Sequence, residues 1–598
     1  MDDPQHLTKK PHPKAGQPHT PMTRVMLRTA PPHATQTLID AGVHPLMARL
    51  YAARGVYSPD ELHEGLDGLL PPNEMRSIGE AASALATAIE AGERLLIVAD
   101  FDADGATACA VGLRGLKRFG AQVDFLVPDR FAFGYGLTPA LVDHAMAIFA
   151  DAPPDWIVTV DNGVSSHAGV ERAHHHGVQV LITDHHLPGK TLPQALMVNP
   201  NQPGCTFKSK HLAGVGVMFY VLLALRAHCR DERQWPADRI PRLDDLLPIV
   251  ALGTVADVVR LDANNRRLVS QGLARIRKGN TFPGLLSLFE VAGQEARTAT
   301  ATTLGFSIGP RLNAAGRLSD MSIGIRCLIE DDPTEAHRLA ETLDRLNRER
   351  RELESSAQEE AVVQAIDQLQ TSRLVAEHQR VLVLHEQHWH QGIIGLIASR
   401  LKERFFLPTF AFANDGDSGR LKGSARSIPG LHVRDLLERI DTENPGLLIA
   451  FGGHAMAAGL TLAAKDFDQF RQCLLSAIDT FAEPSLFDRA LETDGPLEAE
   501  LTRLDVAELI GQQVWGQGFP APVFMNQFRV LAQRRLKEKH LKLTLAHEGA
   551  PHGQSRPIEA IWFNAPQDLP DRARLAYRLA VNRYQGTSTV QLEIVELA

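Results

Sequence analysis

The 598-residue chain is poor in aromatic residues, at 6%, and has five cysteines with no CxxC pair among them. Cys109, Cys205, Cys229, Cys327 and Cys473 are too scattered for a disulfide framework or a thiolate zinc site, so a reducing cytoplasm is the expected compartment. No run approaches the ~18 apolar residues of a membrane span. The first residues, rich in Pro, His and Thr, lack the apolar centre of a signal peptide, and 1–40 reads as a disordered leader. A formal net charge of −9 excludes a uniformly basic surface, so any polyanion must be met by local clusters or through metal ions. What remains, 44% hydrophobic and 22% charged, is the composition of a soluble globular protein long enough for three or four domains.

From Leu95 short apolar runs alternate with longer amphipathic ones: LLIVAD, a helix near Ala106 to Phe119, VDFLVP, a helix near Pro139 to Phe149, WIVTVD, a helix near Val164 to His176, and VQVLITD. This βαβ rhythm predicts a parallel sheet covered by helices within 41–332. Residues 333–370 are dense in Glu, Arg, Leu, Ala and Gln and have no Gly, and no Pro after the first residue. They predict one connector helix of roughly 50 Å. A second α/β domain is expected over 371–482, and the short alternating runs of 483–598 predict a β-rich domain of OB-like form. The fold class is α/β with this β-rich addition.

Ligands of open parallel sheets bind beyond the carboxyl ends of the strands. Three successive strands here end in polar residues: Asp100, Asp102 and Asp104 in DFDADG, then Asp161 and Asn162, then Asp184, His185 and His186. A lone Asp there usually caps the next helix. Carboxylates at three neighbouring strand ends repel one another unless cations neutralise them, and oxygen donors with one or two imidazoles suit Mn²⁺ or Mg²⁺.

The motifs VADFDADGATA (98–108), TVDNGVSS (159–166), ITDHH (182–186), ALGTVADVV (251–259) and GPRLNAAGR (309–317) resemble those of the DHH phosphoesterase superfamily, and in particular its RecJ branch. WHQGIIGLIASRL, GSARS and FGGHAMAAG resemble the accessory DHHA1 domain. The resemblance implies two divalent ions held by Asp100, Asp102, Asp104, Asp161, His185 and Asp257, with Asp161 as the bridge. How the three clustered aspartates divide between the ions stays open. Asp257 enters by resemblance alone, since a single Asp late in an apolar helix reads as structural. His186 is either a proton donor or a group that orients a ligand, and Asp184 is the latter kind.

Arg311, Asn313 and Arg317, with Ser424 and Arg426, are the candidate phosphate contacts, because a guanidinium pairs two phosphate oxygens. Gly452 and Gly453 offer backbone amides to a terminal phosphate beside His454. Arg534, Arg535, Lys537, Lys539 and Lys542 either follow a nucleic-acid backbone or form a solvated strand pair. His174 to His176 end a helix, where the dipole favours imidazoles, and are set aside as a metal site.

The resemblance implies a metal-dependent 5′ to 3′ exonuclease of single-stranded DNA serving recombination and repair, monomeric, with single-strand-binding protein as a partner and no membrane. Two lobes on a long helix with a β-rich arm also suggest a groove too narrow for a duplex. The alternative is a DHH-type phosphodiesterase acting on dinucleotides or short oligonucleotides. The tail at 483–598 counts against it, and the pyrophosphatase variant expects a His where Leu96 stands. A scaffold that has lost catalysis should have lost ligands, and this chain keeps every one.

Overall fold

The computed structural model describes residues 24–129, 133–374, 380–416, 418–548, 557–584 and 586–598. It divides into two compact units, one of Met26–Arg350 with Glu492–Ala598, the other built on Arg351–Leu491.

The leader expected at 1–40 is corrected by the structure over its second half. Residues 1–23 lie outside the described residues, but Arg24–Leu27 forms strand β1 and Pro32–Asp40 a helix. The reason is a long-range tie that no local pattern reveals. The Arg28 amide donates to Thr493 O (2.7 Å), and Asp494, 2% exposed at its side chain, takes both Arg28 and Arg54. Arg54 pairs with the carboxylate through two parallel bonds of 2.9 and 3.0 Å, and Val523 N donates to it as well. Burial pulls the Arg54 guanidinium below its ordinary value, and the Asp494 carboxylate pushes it back. Asp494→Ala leaves that buried cation uncompensated and should cost about 3–5 kcal/mol. Chemical denaturation followed by near-ultraviolet circular dichroism checks this.

The parallel sheet of the larger unit comprises β2 (Arg94–Ala99), β3 (Gln122–Leu126), β4 (Trp156–Val160), β5 (Gln179–Thr183) and β6 (Leu196–Val198), in the order β3-β2-β4-β5-β6. Its strands are apolar on both faces. Leu95, Ile97 and Ala99 of β2 join one helix-covered core, while Leu96 and Val98 join the core on the opposite face. The chain leaves β2 for β3 on one side and then crosses to β4 on the other, so strand order reverses between β2 and β4. That reversal opens a crevice at their carboxyl ends.

The second unit contains β7 (Leu382–His385), β8 (Thr409–Asn414), β9 (Arg420–Arg426), β10 (Ala450–Gly453) and β11 (Ala457–Ala463) in a mixed sheet of order β10-β11-β9-β8-β7. One helix, Pro333–Leu374, covers the stretch predicted to be helical and runs four residues past 370.

β12 (Ala490–Thr493) pairs with β1. The remaining strands, β13 (Phe524–Leu536), β14 (His540–His547), β15 (Ile558–Trp562), β16 (Arg572–Tyr584) and β17 (Thr587–Leu597), close into the five-stranded barrel expected of an OB-like domain. Within the basic stretch, Arg535 and Lys542 are paired with Asp568 (2.9 Å) and Glu559 (2.8 Å). These two cations thus have carboxylate partners on the barrel surface.

Candidate metal centre

The DFDADG loop leaves β2 and turns at once into the helix Ala103–Arg118. Asp102 caps that helix, its Oδ1 accepting from Asp104 N (2.9 Å) and Gly105 N (3.0 Å). Capping and metal binding are thus not rival readings, since Asp102 has a second oxygen to offer. The loop is clamped from two sides. A Cβ on Gly105 would lie 2.4 Å from Asp100 O, and one on Gly316 would lie 1.9 Å from Phe101 O. Asn313 accepts from Ala103 N at 2.9 Å.

Asp104 is buried against the amino end of the helix Gly214–Asp231, where Gly214 N (2.6 Å) and Val215 N (2.9 Å) donate to its two oxygens. Unpaired amides and the helix dipole favour an anion at that position. Burial and the neighbouring Asp102 nevertheless push the Asp104 carboxyl up to about 7.

Asp161 follows β4 in a left-handed conformation (φ 63°), a sparsely populated region for a residue with a side chain. Asn162 pins the tips of β2 and β4 by donating to Val98 O (3.1 Å) and Val160 O (3.0 Å). After β5, Asp184 accepts from Val164 N and from the amides of His185 and His186, and its Oδ1 lies 2.8 Å from His186 Nδ1. Burial would raise the Asp184 carboxyl, but its bond and charge contact with His186 hold it below the usual range.

Asp257 ends the helix Leu247–Ala256 and is followed by Val258 at φ 61°, an outlier for a β-branched side chain. His185 Nε2 lies 3.0 Å from Asp161 Oδ1, 3.6 Å from Asp257 Oδ2 and 3.9 Å from Asp104 Oδ2.

Three overlapping groups of donor atoms result, each within 4.8 Å: Asp104, His185 and Asp257; Asp100, Asp102 and Asp161; and Asp161, His185 and His186. Burial first, then mutual repulsion, holds Asp100, Asp161 and Asp257 well above the ordinary carboxyl range. Asp100 Oδ1 is buried without a hydrogen-bond partner among the described residues. An uncompensated cluster of this kind fits hard divalent ions.

Several supports have no obvious local signature. Asn201 and Asn199 of the NPN turn after β6 donate to His185 O (2.6 Å) and His186 O (2.9 Å), and only the position of that turn after a strand hints at them. Gly214 is a second case. A Cβ there would lie 2.6 Å from Asp161 Cβ and 2.7 Å from its Oδ1, so only glycine lets the helix end reach the centre. Gly214→Ala should therefore weaken Mn²⁺ binding by about 10- to 100-fold, the usual cost of disturbing groups that hold ligands, measurable by titration calorimetry.

Of the expected phosphate contacts, two are engaged with protein groups in this structure. Arg311 is buried, with Nη2 2.8 Å from Asp344 and Nη1 donating to Ser307 O, so it braces its helix against the long one. Asn313 Oδ1 accepts from Ala103 N, which leaves its Nδ2 as the group that would donate to a phosphate. Arg317 is half-buried in the last turn of the same helix. In the other unit, Arg426 Nη1 donates to Ser424 Oγ (3.1 Å), and burial lowers its guanidinium from the ordinary value. Gly452 and Gly453 sit on β10, two strands from Ser424 through Gly459, and His454 opens the turn to β11. His174 and His175 close the helix His167–His175, and His176 pairs with Asp143 at 2.9 Å, outside all three donor groups.

Known proteins match this chain along nearly its whole length. The family models for the DHH family N-terminal domain, the DHHA1 domain and the RecJ OB domain match residues 94–254, 378–480 and 493–596. The single-stranded-DNA-specific exonuclease RecJ of Escherichia coli K12 is 47% identical over 567 residues, covering 93% of this chain and 96% of that one. The protein of the same name from Dickeya dadantii is 47% identical over 573 residues, covering 94% and 97%. Among solved structures, RecJ of Thermus thermophilus in complex with Mn²⁺ superposes with a TM-score of 0.79 at 30% identity, covering 96% of this chain and 79% of that one. Its Mg²⁺ complex gives 0.73 at 29% identity, covering 96% and 78%.

Proposed function

Since the chain belongs to the RecJ family of single-stranded-DNA-specific exonucleases, we propose that it removes nucleotides from the 5′ end of single-stranded DNA by two-metal hydrolysis, in recombination and repair. It is a metal-dependent exonuclease acting on single strands, and Mn²⁺ or Mg²⁺ is its cofactor. The observation that carries the two-ion reading is the pair of donor groups meeting at the β2–β4 crevice, Asp104 with His185 and Asp257 on one side and Asp100 with Asp102 on the other. Asp161 is near enough to serve both.

Divalent ions held by Asp100, Asp102, Asp104, Asp161, His185 and Asp257 would polarise the phosphate and lower the pKa of bound water enough to supply hydroxide near neutral pH. The chain's own groups do the rest. Asp104 is oriented by two helix-end amides, and Asp161 is fixed by its backbone turn and by Gly214, so neither carboxylate reorganises during reaction. Burial alone would lower the His186 imidazole, but the hydrogen bond and charge of Asp184, with Asp100 and Asp102 beyond, push it up to about 8. With Asp184 holding its ring, His186 is placed to supply the leaving oxygen with a proton.

Arg426 and Ser424, with the Gly452–Gly453 strand and His454, are proposed as the site for a phosphate of the substrate. Single-strand-binding protein is a proposed partner, since free single strands are met coated. A monomer in the cytoplasm completes the reading; among the described residues no helix is long and apolar enough to cross a membrane.

The test is a 5′-labelled and a 3′-labelled oligonucleotide, single-stranded or in a blunt duplex, incubated with Mn²⁺. Labelled mononucleotide should appear first from the 5′-labelled single strand, with the duplex resistant. Equal attack on both ends, or on the duplex, contradicts the polarity and strand selectivity.

A further inference from the structure

Beside the metal centre lies a cavity that the hydrolytic groups do not use. It measures about 200 Å³ and is lined by Tyr135, Leu137, Gly163, Val164, Ser165 and Ala168, among others. Two of its walls touch the site, Tyr135 through His186 and Val164 through its amide bond to Asp184.

Its walls are built rather than incidental. Ser166 Oγ accepts from Leu137 N at 3.0 Å, tying the loop after β4 to the loop before the helix Pro139–Ile148. A Cβ on Gly169 would lie 1.9 Å from Leu137 O, so the two segments touch at backbone level. Gly163 takes φ 113°, and a Cβ there would meet Thr159 Oγ1 at 2.6 Å. Val164 N donates to Asp184, the same carboxylate that orients His186.

Tyr135 forms one wall and is 52% exposed, a large aromatic left open at the edge of a charged site. Its ring meets His186 edge-on at 5.9 Å and Phe101 at 6.1 Å, and its hydroxyl lies 3.3 Å from His186 Nε2. Neighbours on two sides thus hold the ring at the edge of the site, with about half of the residue still open.

We propose that this cavity is a nucleobase subsite, in which the base of the nucleotide being released stacks on Tyr135 and so sets the scissile phosphate over the donor groups. The inference rests on the single-strand exonuclease reading above. The volume is below the roughly 300 Å³ at which cavities for drug-sized ligands begin, so one base fits and a second does not. The lining is mostly apolar, with the hydroxyls of Tyr135, Thr138, Ser165 and Ser166 and the His167 imidazole, which suits the face of any base with few groups to discriminate between their edges.

The test compares an oligonucleotide with ordinary termini and one whose terminal unit at either end is abasic, using the full chain with Mn²⁺ and bis(p-nitrophenyl) phosphate as a baseless control substrate. Stacking on an aromatic is worth about 1–3 kcal/mol per base, so the wild type should cleave the abasic terminus roughly 5- to 150-fold more slowly in kcat/KM. Tyr135→Ala should bring that ratio close to one by slowing the ordinary substrate, and Tyr135→Phe should restore it. Ala168→Leu, which fills the cavity from the helix His167–His175, should also compress the ratio. The proposal is overturned if the wild type ignores the missing base, if Tyr135→Ala keeps the wild-type ratio, or if Tyr135→Phe loses as much as Tyr135→Ala. That last result would mean that the hydroxyl acts through His186. If neither DNA nor the control substrate is hydrolysed, the exonuclease reading itself fails, which is a different outcome.

Discussion

Asp161→Ala is expected to lower single-strand hydrolysis by roughly 10³-fold or more, with the fold intact, because metal-derived charge stabilisation is worth several kcal/mol. Asp161 joins Asp100 and Asp102 in one donor group, and its Oδ1 lies 3.0 Å from Nε2 of His185, which belongs to the group with Asp104 and Asp257. Its removal therefore disturbs both ions, while Asp257→Ala removes a donor from one. The variant should fold, since Asp161 is a buried carboxyl held above its ordinary range by burial and by its neighbours, and deleting it relieves repulsion. Single-turnover rates at saturating Mn²⁺, beside circular dichroism, check both parts.

Removing the metal is expected to make stability fall as pH rises. Asp100, Asp161 and Asp257 stand well above the ordinary carboxyl range and Asp104 at about 7, against roughly 3.9 for an aspartate in the unfolded chain. Without ions the folded state thus binds more protons than the unfolded one. These groups' stabilising contribution is complete below about pH 4 and is lost as pH climbs through 7. Divalent ions replace the missing positive charge, so the melting temperature in Mn²⁺ minus that in EDTA should be small at pH 5. At pH 8 it should reach on the order of 5 °C, the shift a ligand at 100 times its Kd gives a domain of ordinary size. Differential scanning fluorimetry reads this directly. An increment equal at both pH values would mean that the ions do not relieve this repulsion.

The strands and the acidic ends of β2, β4 and β5 were legible because a strand buried on both faces is a short unbroken apolar run, and a polar residue after it stands out. The barrel was legible from alternation. What local pattern cannot carry is the identity of partners far along the chain. Arg311 reads as a phosphate ligand alone, and only the fold shows that it also pairs with Asp344, 33 residues on. β1 is invisible until Asp494 gathers Arg28 and Arg54. Asp257 came only through resemblance, for an Asp at a helix end is ordinary. Its distinguishing feature, a left-handed Val258 beside it, exists only in three dimensions. The division of the DFDADG aspartates was likewise unreadable. The helix direction turns Asp104 toward the Gly214 amide and leaves Asp100 and Asp102 in a donor group with Asp161, a geometry that no local pattern announces.

The most direct test of the centre is the number of Mn²⁺ ions bound per chain, counted by titration calorimetry at pH 8 in the wild type, Asp257→Ala and Asp161→Ala. The account predicts two ions in the wild type, one in Asp257→Ala and a loss at both sites in Asp161→Ala. One ion in the wild type, or two retained by Asp161→Ala, would contradict a centre shared through Asp161.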